Sequence, residues 1–125
     1  LIDAAAAALG KVIEASETVA SVAVVGLPVS LDGRLFNAAA VVHEGKLLGV
    51  VPKTYLPNYK EFYDARYFAP AAAAVSKSLR IAGQSAPFGT DLLFAATNAD
   101  GFVLGVEICE DLWMPNPPSS RQALH

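Results

Sequence analysis

The chain has 125 residues, of which 54% are apolar and 17% charged, and its formal net charge is −3. The acidic balance and the lack of a basic run argue against nucleic-acid binding. No apolar stretch reaches the roughly 18 residues that a membrane-spanning helix needs. At this length one domain, or part of one, is expected. The high apolar content predicts strands buried on both faces, or surfaces that further chain or a partner covers.

The first predicted element is a helix over 1–18, where apolar residues recur at helical spacing. Ser21–Leu27 is short, apolar and β-branched, and it predicts a buried strand that Pro28 closes. A turn over Leu31–Arg34 follows.

Strands over 36–43 and 47–51 are predicted next, joined by Glu44-Gly45-Lys46 as in a hairpin. The segment 52–70 is aromatic and predicted to be irregular. Residues 71–84 show no clear hydrophobic periodicity, and we expect them to form an excursion of the chain over the surface.

A second strand pair is predicted over 91–97 and 102–108, around a strong turn sequence. Residues 114–125 read as a proline-rich loop in which Ser119 or Ser120 could cap a helix. Hairpins outnumber βαβ crossovers in this order, so an α/β layered sandwich fits better than a doubly wound sheet.

The chain contains a single cysteine, Cys109, which excludes an internal disulfide. No secretory signal is visible, so a reducing cytoplasm is the expected compartment. The chain begins with Leu1 instead of Met and ends abruptly, and we expect it to be an excerpt from a longer protein.

Lys53 and Cys109 each follow a predicted apolar strand. A thiol and an ammonium at the same end of two strands form a candidate nucleophile and its electrostatic partner. The plainer alternatives are a buried cysteine that acts as a small hydrophobe and a solvated lysine at a strand end.

Two segments carry a specific likeness: Pro-Lys-Thr-Tyr-Leu-Pro-Asn-Tyr-x-Glu-Phe over 52–62, and Gly-Val-Glu-Ile-Cys-Glu-Asp-Leu-Trp over 105–113. Together they closely resemble the nitrilase (carbon–nitrogen hydrolase) superfamily. Within it, they are most similar to the amino-terminal glutaminase domain of bacterial glutamine-dependent NAD synthetases. The stretches 25–28, 36–39 and 87–94 add to the likeness.

The resemblance implies a nitrilase-type αββα four-layer sandwich, present here as an incomplete central piece. Residues 1–125 would be part of the carbon–nitrogen hydrolase (glutaminase) domain, and the synthetase domain would lie outside this segment.

The catalytic set of that family is Glu, Lys and Cys, and the resemblance assigns Lys53 and Cys109 to it. No residue here matches the catalytic Glu, which is expected upstream of residue 1. Glu14 and Glu17 belong to the exposed face of the first helix and are not candidates. The resemblance also assigns Glu61 as the supporting glutamate that orients Lys53.

By the same route, Tyr59 and Glu110 would bind the substrate glutamine, with Glu110 facing its α-amino end. The Lys53 ammonium and the Glu110 backbone N–H would hold the oxyanion. Two alternatives remain: Tyr59 could simply pack in its loop, and Glu110 with Asp111 could form a helix-capping turn.

The resemblance implies no cofactor or metal in this segment, and ATP with Mg²⁺ in the synthetase domain. That domain would use the ammonia to amidate nicotinic acid adenine dinucleotide, and the complete protein would form a homo-oligomer. An ω-amidase, carbamoylase or aliphatic amidase stays open as an alternative. So does an inert fragment whose uncovered edges and patches associate.

Overall fold

The computed structural model describes all 125 residues and is mixed α/β, with three small antiparallel sheets. Helix α1 (Ile2–Ala15) continues into a 3₁₀ turn over Ser16–Thr18. Its apolar positions recur on one side, and Leu9 and Ile13 are buried there. The predicted first helix is therefore confirmed.

The main sheet has the order β1-β2-β3, with β1 (Ala23–Leu31), β2 (Arg34–His43) and β3 (Lys46–Pro52). Two-residue turns join the strands, and all four turn residues have positive φ angles. Such turns match the twist of a hairpin and favour Asp-Gly and similar pairs, which Asp32-Gly33 and Glu44-Gly45 supply.

The prediction that Pro28 closes the first strand is wrong. β1 runs on to Leu31, and Pro28 lies opposite Asn37 in the register of β1 and β2. Proline is tolerated there because β1 is an edge strand of the sheet, where a missing N–H need not break a ladder.

One face of the main sheet forms the core with α1 and with the β4–β5 hairpin described next. Its buried apolar residues alternate along β1 and β2, as a one-sided core requires. In β3, Leu47 and Val50 lie three residues apart because the β2–β3 register shifts at this point. The buried cluster consists of Leu9, Ile13, Leu27, Val29, Phe36, Ala38, Ala40, Val42, Leu47, Val50, Leu79, Ala86 and Phe88.

The predicted surface excursion over 71–84 is also wrong, because β4 (Ser78–Ile81) and β5 (Gln84–Pro87) form a hairpin there. Leu79 and Ala86 from this hairpin are buried in the core. The strands are only four residues long, so their alternation is too brief to stand out in the sequence.

The second predicted strand pair is confirmed but shorter, with β6 (Leu93–Ala95) and β7 (Val103–Gly105). This hairpin packs on the other face of the main sheet, where Phe94 and Leu92 lie close to Gly49. The main sheet is therefore covered on both faces at β3.

Two short helices complete the fold: α2 (Asp64–Tyr67) and α3 (Pro118–Gln122). Neither Ser119 nor Ser120 caps α3, because the helix begins one residue earlier, at Pro118. The proline fits the first helical position, where an N–H has no partner. No helix in the structure has the length and apolar character needed to cross a membrane.

Candidate active site

Lys53 directly follows β3 and is held by neighbouring backbone. Its N–H donates to the Asn37 carbonyl at 2.8 Å, and its carbonyl accepts the Ala71 N–H at 3.0 Å. It follows Val51 by two residues, which places both on the face of the sheet that the β6–β7 hairpin covers. Only 3% of Lys53 is exposed.

The Lys53 ammonium forms an ion pair with Asp64, the first residue of α2. The distance from Lys53 Nζ to Asp64 Oδ2 is 2.6 Å, and 4% and 23% of the two side chains are exposed. The Asp64 N–H donates to the Pro57 carbonyl at 3.1 Å, which fixes the start of the helix. A nearly buried ammonium needs such a charged partner.

Glu61, expected to orient Lys53, does not contact it in this structure. Glu61 is exposed and makes neither a salt bridge nor a side-chain hydrogen bond. The reason is a turn at Lys60, whose φ is 53°, and this turn places Glu61 at an exposed tip of the loop. The contact with Lys53 is made by Asp64 instead, and a catalytic role for Glu61 stays a prediction.

Cys109 opens a 3₁₀ turn over Cys109–Trp113, and three residues separate it from the end of β7. The predicted strand that runs straight into the cysteine is therefore too long. Cys109 is exposed and has a φ of 50°, in the left-handed region. A non-glycine residue held there costs about 1–3 kcal/mol and persists only where its surroundings fix it.

Asp111 links the cysteine turn to the lysine loop. Its carboxylate accepts the Tyr55 N–H at 2.8 Å and the Thr54 N–H at 3.1 Å, both on Oδ1. On Oδ2 it accepts the Ile108 N–H at 3.1 Å. The side chain is completely buried.

Tyr59 and Glu110, the two predicted substrate contacts, lie against each other. The Tyr59 hydroxyl is 2.9 Å from both carboxylate oxygens of Glu110 and donates to them. This hydrogen bond raises the pKa of Tyr59 above 10.0, because ionisation would remove the donated proton. The contact brings the two motifs together, and glutamine binding by these residues stays a prediction.

The chain that precedes the cysteine turn is held by α3. The Gln122 amide donates to the Val106 carbonyl at 3.2 Å and to the Thr90 carbonyl at 2.9 Å. The Glu107 carboxylate accepts the Ser119 N–H at 3.1 Å, as acidic side chains commonly do at helix starts. These contacts tie the segment that leads into Cys109 to α3.

These residues form no metal centre, and a cavity of about 600 Å³ lies away from them. No group of three or more His, Cys, Asp or Glu side chains is placed to hold a metal ion. The cavity lies between the β2–β3 turn and the β6–β7 hairpin, with His43 and Phe94 among its lining residues.

Two residues near the site, Asp64 and Gln122, were not identified from the sequence. Asp111 was noticed, but its role in linking the two motifs was not. Asp64 lies eleven residues beyond Lys53, past an irregular loop, so no periodicity ties the two. Asp111 gave a weak signal as part of a possible capping turn. Its reach to the lysine loop spans 57 residues, which local pattern does not encode.

Comparisons with known proteins identify relatives of the whole chain. No family model matches the chain. The chain is 49% identical over 124 residues to the glutamine-dependent NAD(+) synthetase of Mycobacterium tuberculosis. The alignment covers 99% of this chain and 18% of the relative.

Two solved structures are also similar. The glutamine-dependent NAD(+) synthetase of Cytophaga hutchinsonii superposes with a TM-score of 0.69 at 26% identity, over 86% of this chain and 18% of that one. The enzyme from Acinetobacter baumannii, in complex with ADP, gives 0.57 at 33% identity, over 84% of this chain and 16% of that one.

The chain thus spans less than one fifth of the relatives' length. Over nearly all of its own length, the chain is homologous to a segment of the glutamine-dependent NAD(+) synthetases.

Proposed function

We propose that this chain carries the cysteine and lysine of a glutaminase site that supplies ammonia for NAD synthesis. The observation that carries the proposal is the joining of the Lys53 loop and the Cys109 turn through Asp111 and through Tyr59 with Glu110. The identity to glutamine-dependent NAD(+) synthetases supports the choice of substrate.

In the proposed reaction, the Cys109 sulfur attacks the side-chain carbonyl carbon of glutamine. The C–N bond then breaks, the nitrogen leaves as ammonia with the proton taken from the thiol, and a γ-glutamyl thioester remains. Water hydrolyses the thioester to glutamate and restores the thiol. A general base must carry these protons, and the proposal assigns it to a glutamate outside this segment.

Lys53 supplies a positive charge for the oxyanion and stays in place through its pair with Asp64. The Glu110 backbone N–H, directly after the nucleophile, is the second proposed oxyanion donor. Loss of one such donor typically lowers kcat by about 10²–10³.

The larger assembly is part of the proposal. ATP and Mg²⁺ would act in a synthetase domain of the complete protein. The ADP in the Acinetobacter baumannii structure supports use of an adenine nucleotide by that relative. Homo-oligomer formation, a cytoplasmic location and the αββα sandwich stay predictions, and the sandwich is supported by the layers on both faces of the main sheet.

The test uses the complete natural protein, assayed for NAD formation with glutamine or with ammonia as the nitrogen source. Cys109→Ala and Lys53→Met should each reduce glutamine-dependent activity at least about 10³-fold, and ammonia-dependent activity should remain. A glutamine-analogue alkylator should label Cys109, as mapped by mass spectrometry.

Equal loss with both nitrogen sources would contradict the proposal. Amide hydrolysis at Cys109 without NAD formation would place the protein with the ω-amidases or carbamoylases. An unlabelled Cys109 in an active protein would remove the nucleophile assignment.

A further inference from the structure

We propose that Asp111 is a positioning residue that holds the Lys53 loop against the Cys109 turn. The inference rests on the proposed glutaminase function and adds a residue to it. Asp111 acts through the backbone of both segments and does not itself touch the reacting atoms.

The first observation is that both oxygens of the buried Asp111 carboxylate accept hydrogen bonds. It is fully buried, and it accepts three backbone N–H groups, from Thr54, Tyr55 and Ile108. Burial of a carboxylate is very unfavourable unless hydrogen bonds compensate it. Hydrogen bonds to an ionised acceptor are roughly twice as strong as neutral ones.

The second observation is that little else connects the two segments. No backbone–backbone hydrogen bond joins residues 53–63 to residues 106–113. The other links between the lysine loop and the chain from Cys109 onward are the contact of Tyr59 with Glu110 and the bond from the Tyr55 hydroxyl to the Asn116 carbonyl, and both are exposed. Asp111 supplies the only polar link that is not exposed.

The third observation concerns the cysteine itself. The Ile108 N–H donates to Asp111 Oδ2, and the Asp111 N–H donates to the Ile108 carbonyl, each at 3.1 Å. These two bonds close the turn around Cys109, whose φ is 50°. The carboxylate thus supports the left-handed backbone that presents the thiol, and it joins this turn to the residues after Lys53.

A matched control exists in Asp32, which performs a similar task elsewhere. Its carboxylate accepts the Val75 and Ser76 N–H groups at 2.8 Å and the Ser76 hydroxyl at 2.6 Å. It joins the β1–β2 turn to the segment before β4, and neither part carries Lys53 or Cys109.

The experiment compares Asp111→Asn with Asp32→Asn in the complete natural protein. An amide in place of the carboxylate turns an NH₂ group toward N–H donors, so one contact becomes repulsive. We expect kcat for glutamine hydrolysis to fall on the order of 10²-fold, as a small misplacement of reacting groups can do. KM for glutamine should change little, and Asp32→Asn should leave both constants unchanged.

Hydrogen exchange gives a second measurement that does not depend on activity. Asp111→Asn should speed exchange at the Thr54, Tyr55 and Ile108 amides, and Asp32→Asn should speed it at Val75 and Ser76. If Asp111→Asn does not fold, Asp111→Glu keeps the charge but displaces it by one methylene, and it should show the same division between kcat and KM.

Each outcome decides one claim. Unchanged kcat in a folded Asp111→Asn protein, or unchanged exchange at the three amides, would overturn the positioning role. A fall in kcat matched by a rise in KM would assign Asp111 to substrate binding instead. A wild-type protein that does not hydrolyse glutamine would refute the proposed function, and the exchange data would still test the link.

Discussion

Lys53 is the buried cation of the candidate site. Its ammonium is almost completely buried, and Asp64 is its single salt-bridge partner. Removing one member of a buried pair leaves the other charge uncompensated, which is far more unfavourable than losing an exposed pair. The choice between Asp64 and Glu61 as the partner of Lys53 is therefore measurable as stability.

We expect Asp64→Asn to lower the free energy of unfolding by about 2–4 kcal/mol, because the buried Lys53 ammonium would be left without an opposite charge. Glu61→Gln, eight residues after Lys53 on an exposed turn, should change it by less than about 0.5 kcal/mol. Chemical denaturation of both variants checks the difference. If Glu61→Gln lowered the free energy of unfolding more than Asp64→Asn, Glu61 and not Asp64 would be the partner of Lys53.

At the level of elements, the site depends on how the β6–β7 hairpin packs on the main sheet. β7 leads toward Cys109, and β3 leads directly to Lys53, so the packing of the hairpin on β3 through Phe94 and Leu92 sets where both motifs start. Gly49 in β3 makes room for this packing. A Cβ added there would lie 2.9 Å from Phe94 Cε1 and 3.0 Å from Leu92 Cδ1.

Gly49→Ala should therefore destabilise the protein by about 1–3 kcal/mol through overpacking. The matched control is Gly26→Ala in β1 of the same sheet, where an added Cβ would meet nothing within 4 Å. Thermal unfolding of the two variants should separate them clearly. Equal Tm values would mean that the hairpin does not pack closely over Gly49.

At the level of the whole molecule, much apolar surface is uncovered. The accessible surface is 7542 Å², whereas a compact monomer of 13.0 kDa exposes about 6,300 Å². Four apolar residues at this edge of the structure are about half exposed: Val22 just before β1, Val24 on β1, and Phe102 and Val103 on the hairpin. Exposed apolar patches of this kind promote association.

We expect the 125-residue chain by itself to associate as its concentration rises, measured by sedimentation velocity. Val24→Lys should weaken the association, because it places a charge on the uncovered face where 48% of Val24 is exposed. Val75→Lys is the control, since Val75 is 83% exposed and lies outside that face. Equal effects of the two substitutions would point to a non-specific influence of charge.

Much of the fold was predictable because its signals are local. The first helix follows from apolar spacing, and the β2–β3 hairpin follows from two apolar runs around Glu44-Gly45. Predictions failed where an element was very short, as for β4 and β5, or where sheet position decided the outcome. Pro28 reads as a strand end until β1 is seen to be an edge strand.

By itself the sequence determined which reactive groups are present and where in the chain they occur. Lys53 and Cys109 stand out because each follows an apolar run and lies in a distinctive motif. Only the tertiary structure decided that Asp64 pairs with Lys53 and that Asp111 joins the two motifs. The physical reason is that these contacts depend on how turns and loops fold back over many residues, whereas local periodicity reports only neighbours along the chain.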